Sequence, residues 1–237
     1  MKAHSMTDPA QILAHSPAHI PAHIPDEWLL DHAAGATPEP VAVLVEAHLA
    51  LSAPARATYA RLAAVGGVLL EQQSPADLAP DAFARMLARI DASPAPVAAI
   101  APAATAGLLP AAVSAYAGPS IDALDWRRVV RGVEQATLKL GTKSPYELSL
   151  LRIAAGKSIP QHTHEGDELL LVLAGSFEDG RAGYARGDVC AADASVDHAP
   201  VADRATDCLC LHVANAPIKL TGPFGRLLNP LLKLARR

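Results

Sequence analysis

In this chain of 237 residues, two histidines one residue apart, His162 and His164, are followed four residues later by Glu168. On an extended segment, residues i and i+2 point to the same side, so both imidazoles can face one point. The Gly166-Asp167 bend lets Glu168 bring a carboxylate to that point from the next strand. Because imidazole nitrogens and carboxylate oxygens bind divalent metals, the spacing predicts three ligands of a metal site.

A fourth ligand is predicted from a second segment. Gly187-Asp188-Val189 has the pattern of a turn entering a strand, and His198 follows eleven residues after Gly187. A paired strand can carry His198 back over the first three ligands. Three nitrogens and one oxygen suit Zn²⁺, Fe²⁺, Mn²⁺ or Cu²⁺, so the donor set does not choose among them. The alternative is that these residues are ordinary surface and strand histidines.

The sequence after Leu124-Asp125-Trp126 predicts an all-β domain. Short alternating or apolar runs are separated by Gly, Asp and Pro, which is typical of a barrel or sandwich of short strands. The predicted strands cover residues 127–133, 147–153, 168–173, 176–178, 181–184, 188–191 and 208–213. We expect residues 121–237 to form this domain.

The first half of the chain shows helical periodicity instead. Apolar residues recur at helical spacing in segments that begin near residues 26, 40, 55 and 80. Pro40 suits the first turn of a helix, and Pro54 interrupts the pattern. We expect a small helical domain over residues 25–92.

Two segments look poorly packed. Residues 1–24 have the composition of a flexible arm, whose His4, His15 and His19 are either solvated or a loose metal collector. Residues 93–120 are dominated by Pro and Ala with hardly a charge, and they predict an interdomain linker. The expected fold class is therefore α+β with two domains, a small N-terminal helical domain and a C-terminal all-β domain.

Bulk properties exclude several classes of protein. A hydrophobic fraction of 51% with 19% charged residues is enough to bury cores, and a net charge of −4 disfavours direct nucleic-acid binding. No window is apolar enough to span a bilayer, and the N-terminus has no secretory signal, so we expect a cytoplasmic protein. The leucine-rich, basic residues 224–237 are expected to pack on the β domain rather than lie on a membrane surface, because Pro230 interrupts them.

The three cysteines are too few for a disulfide framework. Cys208 and Cys210 alternate with leucines, so their thiols face one side of a predicted strand. They are candidate redox thiols near the metal or, alternatively, two small buried side chains. Cys190 is expected in the core.

The motif Gly156-x5-His162-x-His164-x3-Glu168-x6-Gly175 resembles the first cupin motif, and residues 187–198 resemble the second. Over residues 23–230 the chain resembles the ChrR-type anti-sigma factors, in which a cupin follows a short helical domain. The shared segments include residues 124–127, 132–133, 197–202 and 207–211. This resemblance implies a double-stranded β-helix barrel. It also implies one divalent metal on His162, His164, Glu168 and His198, zinc first, with iron or manganese as alternatives.

The resemblance also implies a function. The helical domain would bind and inhibit an extracytoplasmic-function sigma factor, and the cupin would sense oxidative stress such as singlet oxygen or organic hydroperoxide. A homodimer through an exposed sheet edge of the cupin is a candidate assembly. Two alternatives stay open, namely a metal-dependent, dioxygenase-like cupin enzyme and a small-molecule-binding cupin.

In the family, a histidine near the start of the helical domain and a His-x3-Cys-x2-Cys group bind a structural zinc. His23 and His48 fall at the histidine positions, but Ser52 and Ala55 stand at the cysteine positions. Serine is a poor zinc ligand and alanine is none. We therefore expect packed or capping histidines and no tight zinc site. The alternative that the helical domain has lost sigma binding, so that the protein acts through its cupin alone, stays open. We expect instead that the helices still bind a sigma factor through an apolar stripe, which consists of Leu30, Val41, Leu44, Val45, Leu49 and Leu51.

Overall fold

The computed structural model of the protein describes residues 22–93, 108–118 and 120–222. In this part of the chain, five helices precede twelve short strands, which confirms the α+β expectation. The helices are α1 (Asp26–Ala33), α2 (Glu39–Leu51), α3 (Ala53–Glu71), α4 (Ala82–Asp91) and α5 (Ala111–Ala117). None of those described helices is both long and apolar enough to cross a membrane.

Local chemistry sets the helix boundaries. Pro25 and Pro38 immediately precede α1 and α2, and Pro40 lies in the first turn of α2, where a missing N–H removes no helical hydrogen bond. Ser52 ends α2 and caps α3, because its Oγ accepts a hydrogen bond from the Ala55 backbone N–H at 3.3 Å. The four predicted helical segments correspond to α1, α2, α3 and α4.

The strands form three antiparallel sheets. They are β1 (Arg127–Val130), β2 (Val133–Thr137), β3 (Glu147–Ile153), β4 (His162–His164), β5 (Glu168–Ala174), β6 (Ser176–Glu178), β7 (Gly183–Ala185), β8 (Val189–Ala192), β9 (Asp197–His198), β10 (Val201–Ala202), β11 (Cys208–Ala214) and β12 (Ile218–Leu220). The large sheet has the order β1-β2-β3-β11-β5-β8, and the small sheets have the orders β10-β6-β7 and β12-β4-β9. Each predicted strand run overlaps an observed strand, and the first run is divided by a turn at Gly132.

The central strands of the large sheet are buried on both faces. One face of β5 places Leu170 and Val172 in a core inside the barrel, and the other places Leu169 and Leu171 against the helices. Successive side chains of a strand point to opposite faces, so a strand covered on both sides reads as a continuous apolar run. This double burial accounts for the Leu-Leu-Leu-Val-Leu sequence of β5.

The helical region is not separated from the barrel by a bare linker. Val41, Leu44 and Val45 of α2 share one hydrophobic core with the outer face of the large sheet. These members of the predicted apolar stripe are therefore not available to a sigma factor, and that part of the prediction is wrong. Helix α5 lies within the predicted linker 93–120 and buries Val113 in that core, so the C-terminal end of the linker prediction is wrong. Alanine-rich sequence forms a helix here because α2 covers its apolar side. Residues 94–107 and 119 lie outside the described residues.

The predicted arm also differs at its C-terminal end. Ala22 accepts a backbone hydrogen bond from the Val189 N–H at 2.9 Å, and its own N–H donates to Asp188 Oδ1 at 3.1 Å. Ile24 is buried in the shared core. These contacts attach the start of the helical region to β8, so residues 22–24 belong to the folded body. Residues 1–21, with His4, His15 and His19, and residues 223–237 lie outside the described residues.

Helix α4 buries none of its side chains. Its apolar residues recur at i, i+3, i+4 and i+7 and remain open to solvent, with exposures of 69% for Phe83, 50% for Met86, 44% for Leu87 and 61% for Ile90. The last turns of α3 likewise expose Val68, Leu69 and Leu70. We call the α4 residues Phe83, Met86, Leu87 and Ile90 the α4 apolar face.

Candidate metal centre

Strand pairing brings the four predicted ligands together inside the barrel. His162 and His164 lie on β4, Glu168 begins β5, and His198 on β9 pairs directly with His162. All four side chains are buried. The three imidazole rings have centroid separations between 4.6 and 5.2 Å. The residues therefore converge on one point, as the spacing predicted.

The donor atoms stand at distances that suit a shared ion. His164 Nε2 is 3.1 Å from His198 Nε2, and Glu168 Oε2 is 3.6 and 3.9 Å from these two nitrogens. One donor atom from each of the four residues lies within 4.8 Å of the others. Two nitrogens bound tetrahedrally at about 2.0–2.1 Å from a zinc ion would be roughly 3.3 Å apart.

A buried atom without a partner supports the same conclusion. Glu168 Oε2 is buried, and no hydrogen-bond partner for it is present among the described residues. An unsatisfied buried carboxylate oxygen is costly unless something compensates its charge. The described residues therefore fit a divalent metal at this point, and the donor set leaves its identity open.

The protonation states also suit metal binding. Burial lowers the pKa of His164 to about 4 and lowers the pKa of His162, so both rings are neutral at pH 7. Burial opposes ionisation of Glu168, but the hydrogen bond from His212 and the nearby imidazoles hold its pKa at about 2. Neutral imidazoles and an ionised carboxylate are the forms that coordinate metals.

Glu168 is oriented by residues that the sequence analysis missed. His212 Nε2 lies 2.9 Å from Glu168 Oε1, Ser149 Oγ lies 3.0 Å from His212 Nδ1, and Gln135 Nε2 donates to Ser149 Oγ at 2.9 Å. Read from Gln135 to Glu168, each donor meets an acceptor, so His212 satisfies Oε1 and leaves Oε2 free. Cys208, Cys210 and His212 alternate along β11 and therefore share one face of the strand. This alternation is the sequence signal from which the position of His212 inside the barrel could have been predicted.

An apolar cavity of about 250 Å³ opens beside the centre. Its wall is mostly apolar and includes aliphatic side chains of β1, β2, β3 and β12, and its polar lining includes His162, Glu168 and His212. A cavity with apolar walls and a few polar groups is typical of a small-molecule site.

The two thiols of β11 lie inside the barrel core. Cys208 and Cys210 are buried, and their Sγ atoms are 3.6 Å apart, on one side of the strand as predicted. The contact with Cys208 and burial raise the pKa of Cys210 well above its ordinary value. Because the thiolate is the reactive form, this environment favours the interpretation of packed thiols, and the redox role stays a prediction.

Comparison with known proteins shows the family. The ChrR cupin-like domain matches residues 117–217. The anti-sigma-E factor ChrR of Cereibacter sphaeroides is 35% identical over 212 residues, which cover 88% of this chain and 96% of that protein. The chain belongs to the ChrR family of anti-sigma factors. A chain in the crystal structure of Rhodobacter sphaeroides SigE in complex with the anti-sigma ChrR superposes with a TM-score of 0.70 at 35% identity, covering 82% of this chain and 99% of that one.

The ChrR resemblance inferred from the sequence is thus confirmed, and it makes the two N-terminal histidines informative. His48 is fully buried, and its Nδ1 lies 2.9 Å from the Gly187 carbonyl oxygen of the barrel. Its Nε2 has no partner among the described residues, and the exposed His23 ring lies 6.1 Å away between centroids. Ser52 is used as a helix cap. His48 is therefore a packed histidine that joins α2 to the barrel through its contact with Gly187.

Proposed function

We propose that this protein is an anti-sigma factor that binds and inhibits an extracytoplasmic-function sigma factor in the cytoplasm. The observation that carries the proposal is the α4 apolar face, because an exposed apolar stripe on a folded chain marks a protein-binding surface. Residues spaced at i, i+3, i+4 and i+7 are the anchors of a helix that docks in a partner's groove. Similarity to ChrR from the SigE–ChrR complex supports a sigma factor as that partner.

The helical region can present this face without a structural zinc. Helix α2 is held by the core that it shares with the barrel, and α1 and α2 pack on α3. Burial of aliphatic side chains contributes roughly 25 cal/mol per Å² of apolar area. Packing therefore replaces the metal that Ser52 and Ala55 would not bind.

In the barrel, His162, His164, Glu168 and His198 would hold one divalent metal, zinc first, with iron or manganese as alternatives. Such an ion supplies a Lewis-acidic position within the core. His212 orients Glu168, and the aliphatic cavity wall limits the access of water. We propose that this centre makes the barrel the sensor of an oxidative-stress response to singlet oxygen or organic hydroperoxide.

Sensing requires that the signal favour a state with weaker affinity for the sigma factor. The shared core offers the physical connection, because β5 carries Glu168 on its inner face and packs Leu169 and Leu171 against the helices on its outer face. A change at the centre that displaces β5 would therefore alter the support of α2.

Co-expression with an extracytoplasmic-function sigma factor tests the proposal. We expect a one-to-one complex carrying about one metal ion per chain of this protein. Phe83→Asp and Leu87→Asp should each weaken binding about 30-fold, and the double variant roughly 1,000-fold, because interface anchors contribute about 2 kcal/mol or more each. Thr206→Asp introduces the same charge at an exposed position of the barrel, in the turn before β11, and should leave binding unchanged. Equal binding of the sigma factor by all variants would contradict the proposal that the α4 apolar face is the binding surface.

A second candidate function rests on the apolar cavity. A metal beside a cavity of about 250 Å³ suits a small-molecule-binding or dioxygenase-like cupin. This candidate predicts a metal-loaded protein that forms no complex with sigma factors, whereas the anti-sigma proposal predicts the complex whether or not the cavity holds a ligand. The exposed edge strand β1 is the surface that we propose for a cupin homodimer, and sedimentation analysis of the protein alone tests it.

A further inference from the structure

Asp179 is a buried carboxylate on the side of His198 that faces away from the other ligands. Its side chain is fully covered, and its Oδ2 lies 3.1 Å from His198 Nδ1. His198 Nε2 is the atom that approaches His164 and Glu168. The imidazole of His198 thus bridges Asp179 and the candidate metal position through its two nitrogens.

Asp179 is fixed by several donors. Its Oδ2 accepts hydrogen bonds from Arg181 Nε at 2.9 Å and Arg181 Nη2 at 2.7 Å. Its Oδ1 accepts from the backbone N–H groups of Arg181 and Ala182 at 3.0 and 3.1 Å. An ionised carboxylate with this many donors is held in one orientation and carries no proton of its own.

We propose that Asp179, held by Arg181, is a positioning residue that keeps the proton of His198 on Nδ1 and presents the Nε2 lone pair to the metal. A carboxylate offers only acceptors, so the nitrogen that faces it must be the donor. A histidine that binds a metal through one nitrogen is commonly oriented by a hydrogen bond from the other. The inference rests on the proposed metal centre.

A competing interpretation is a second metal site. Asp179, Cys190 and His198 also place donor atoms within 4.8 Å of one another. However, the Arg181 guanidinium already supplies a cation there, with Nη2 at 2.7 Å from Asp179 Oδ2 and 3.3 Å from Cys190 Sγ. Burial raises the pKa of Cys190 to about 12, so the sulfur stays a thiol rather than a metal-binding thiolate.

The first test reads the tautomer of His198 in the full-length, metal-free protein by ¹H–¹⁵N NMR of the imidazole nitrogens. We expect Nδ1 to be protonated in the wild type and this preference to be lost in Asp179→Ala. The isosteric Asp179→Asn keeps the shape of the site and replaces Asp179→Ala in this measurement if Asp179→Ala folds poorly. An unchanged His198 tautomer in a folded Asp179→Ala protein would overturn the proposal. Because no metal is needed, this result is independent of the metal centre.

The second test measures Zn²⁺ affinity by competition with a chromophoric chelator. Asp179→Ala and Asp179→Asn should each weaken binding roughly 10- to 100-fold, the range typical of contacts that orient a ligand. Glu178→Gln, at the exposed neighbouring position, and Cys190→Ser should bind as the wild type does. Wild-type affinity in both Asp179 variants would overturn the positioning role. Two ions per wild-type chain, with one lost in Cys190→Ser, would also overturn it, in favour of the second site. A wild type that binds no Zn²⁺ would instead reject the metal centre.

Discussion

In the barrel, three candidate ligands stand on the paired strands β4 and β9, and the fourth begins β5 of the large sheet. In the helical region, by contrast, the rings of His23 and His48 are neighbours, and the described residues add no third donor to form a metal-binding group with them. Two of the buried barrel histidines are oriented through their second nitrogens, with His162 Nδ1 at 2.8 Å from the Pro160 carbonyl oxygen and His198 Nδ1 at 3.1 Å from Asp179 Oδ2. His48 Nδ1 instead contacts the carbonyl oxygen of Gly187 in the barrel. The same residue type therefore builds a candidate metal centre in one region and a packing contact in the other.

The difference lies in the number of donor groups that each region brings together. Ser52 and Ala55 stand where the resemblance implies two cysteines, and α2 packs in an apolar core. Four experiments test this contrast between the two regions.

The largest effect is expected from His162→Ala. Loss of an orienting contact typically lowers metal affinity roughly 10- to 100-fold, and loss of a ligand should lower it further. The variant should therefore purify with far less than one metal ion per chain. His48→Ala is the matched control from the helical region, and its metal content should equal that of the wild type. Mass spectrometry measures the metal content of both variants. An equal loss of metal in the two variants would contradict the difference between the barrel and the helical region.

Restoring sulfur ligands should convert the helical region into a second metal site. Ser52→Cys together with Ala55→Cys places two thiols at the junction of α2, which carries His48, with α3. We expect Zn²⁺ content to rise from about one to about two ions per chain. Adding His48→Ala to the pair should remove the gained ion. If the double variant gains none, packing against the barrel holds these positions too far apart for one ion.

Truncating the shared core should destabilise the whole chain. Leu44 is fully buried between the helices and the large sheet, so Leu44→Ala should lower the free energy of unfolding by about 2–5 kcal/mol. Leu70→Ala makes the same change at a residue that is 74% exposed and should alter it by less than about 0.5 kcal/mol. Urea unfolding followed by circular dichroism measures both, and similar small changes would show that the helices do not depend on the barrel.

The smallest effect concerns the role that Ser52 has in place of a ligand. Ser52→Ala removes the cap of α3 and should lower the free energy of unfolding by about 1 kcal/mol. Ser74→Ala, at an exposed position outside the helices, is the control and should be near neutral. A neutral result for Ser52→Ala, in the same urea titration, would mean that the hydrogen bond to Ala55 contributes little.

Much of this fold was predictable, because its signals are local. The periodicity of apolar residues identifies the four helical segments and strand runs such as residues 147–153 and 208–213. Pro and Gly residues mark where these segments begin or end. The linker prediction over 93–120 was wrong at α5, because its alanines and Val113 become helical against α2, a contact that no local pattern reveals.

The candidate site divides in the same way. His162, His164 and Glu168 lie within seven residues and share a spacing that the geometry of strands makes meaningful, and His198 follows a recognisable turn. Asp179 and His212 have no such spacing, since they contact His198 and Glu168 across 19 and 44 residues of chain.

The sequence by itself therefore determined the candidate ligands, most of the strand and helix segments and the resemblance to the ChrR family, because these depend on residue types and their spacing. Only the tertiary structure decided which nitrogen of His198 faces the other candidate ligands, which oxygen of Glu168 has no partner among the described residues, and that the helices and the barrel share a core. Those outcomes depend on atoms brought together by sheet closure and helix packing, where a difference of about 1 Å separates a hydrogen bond from no contact.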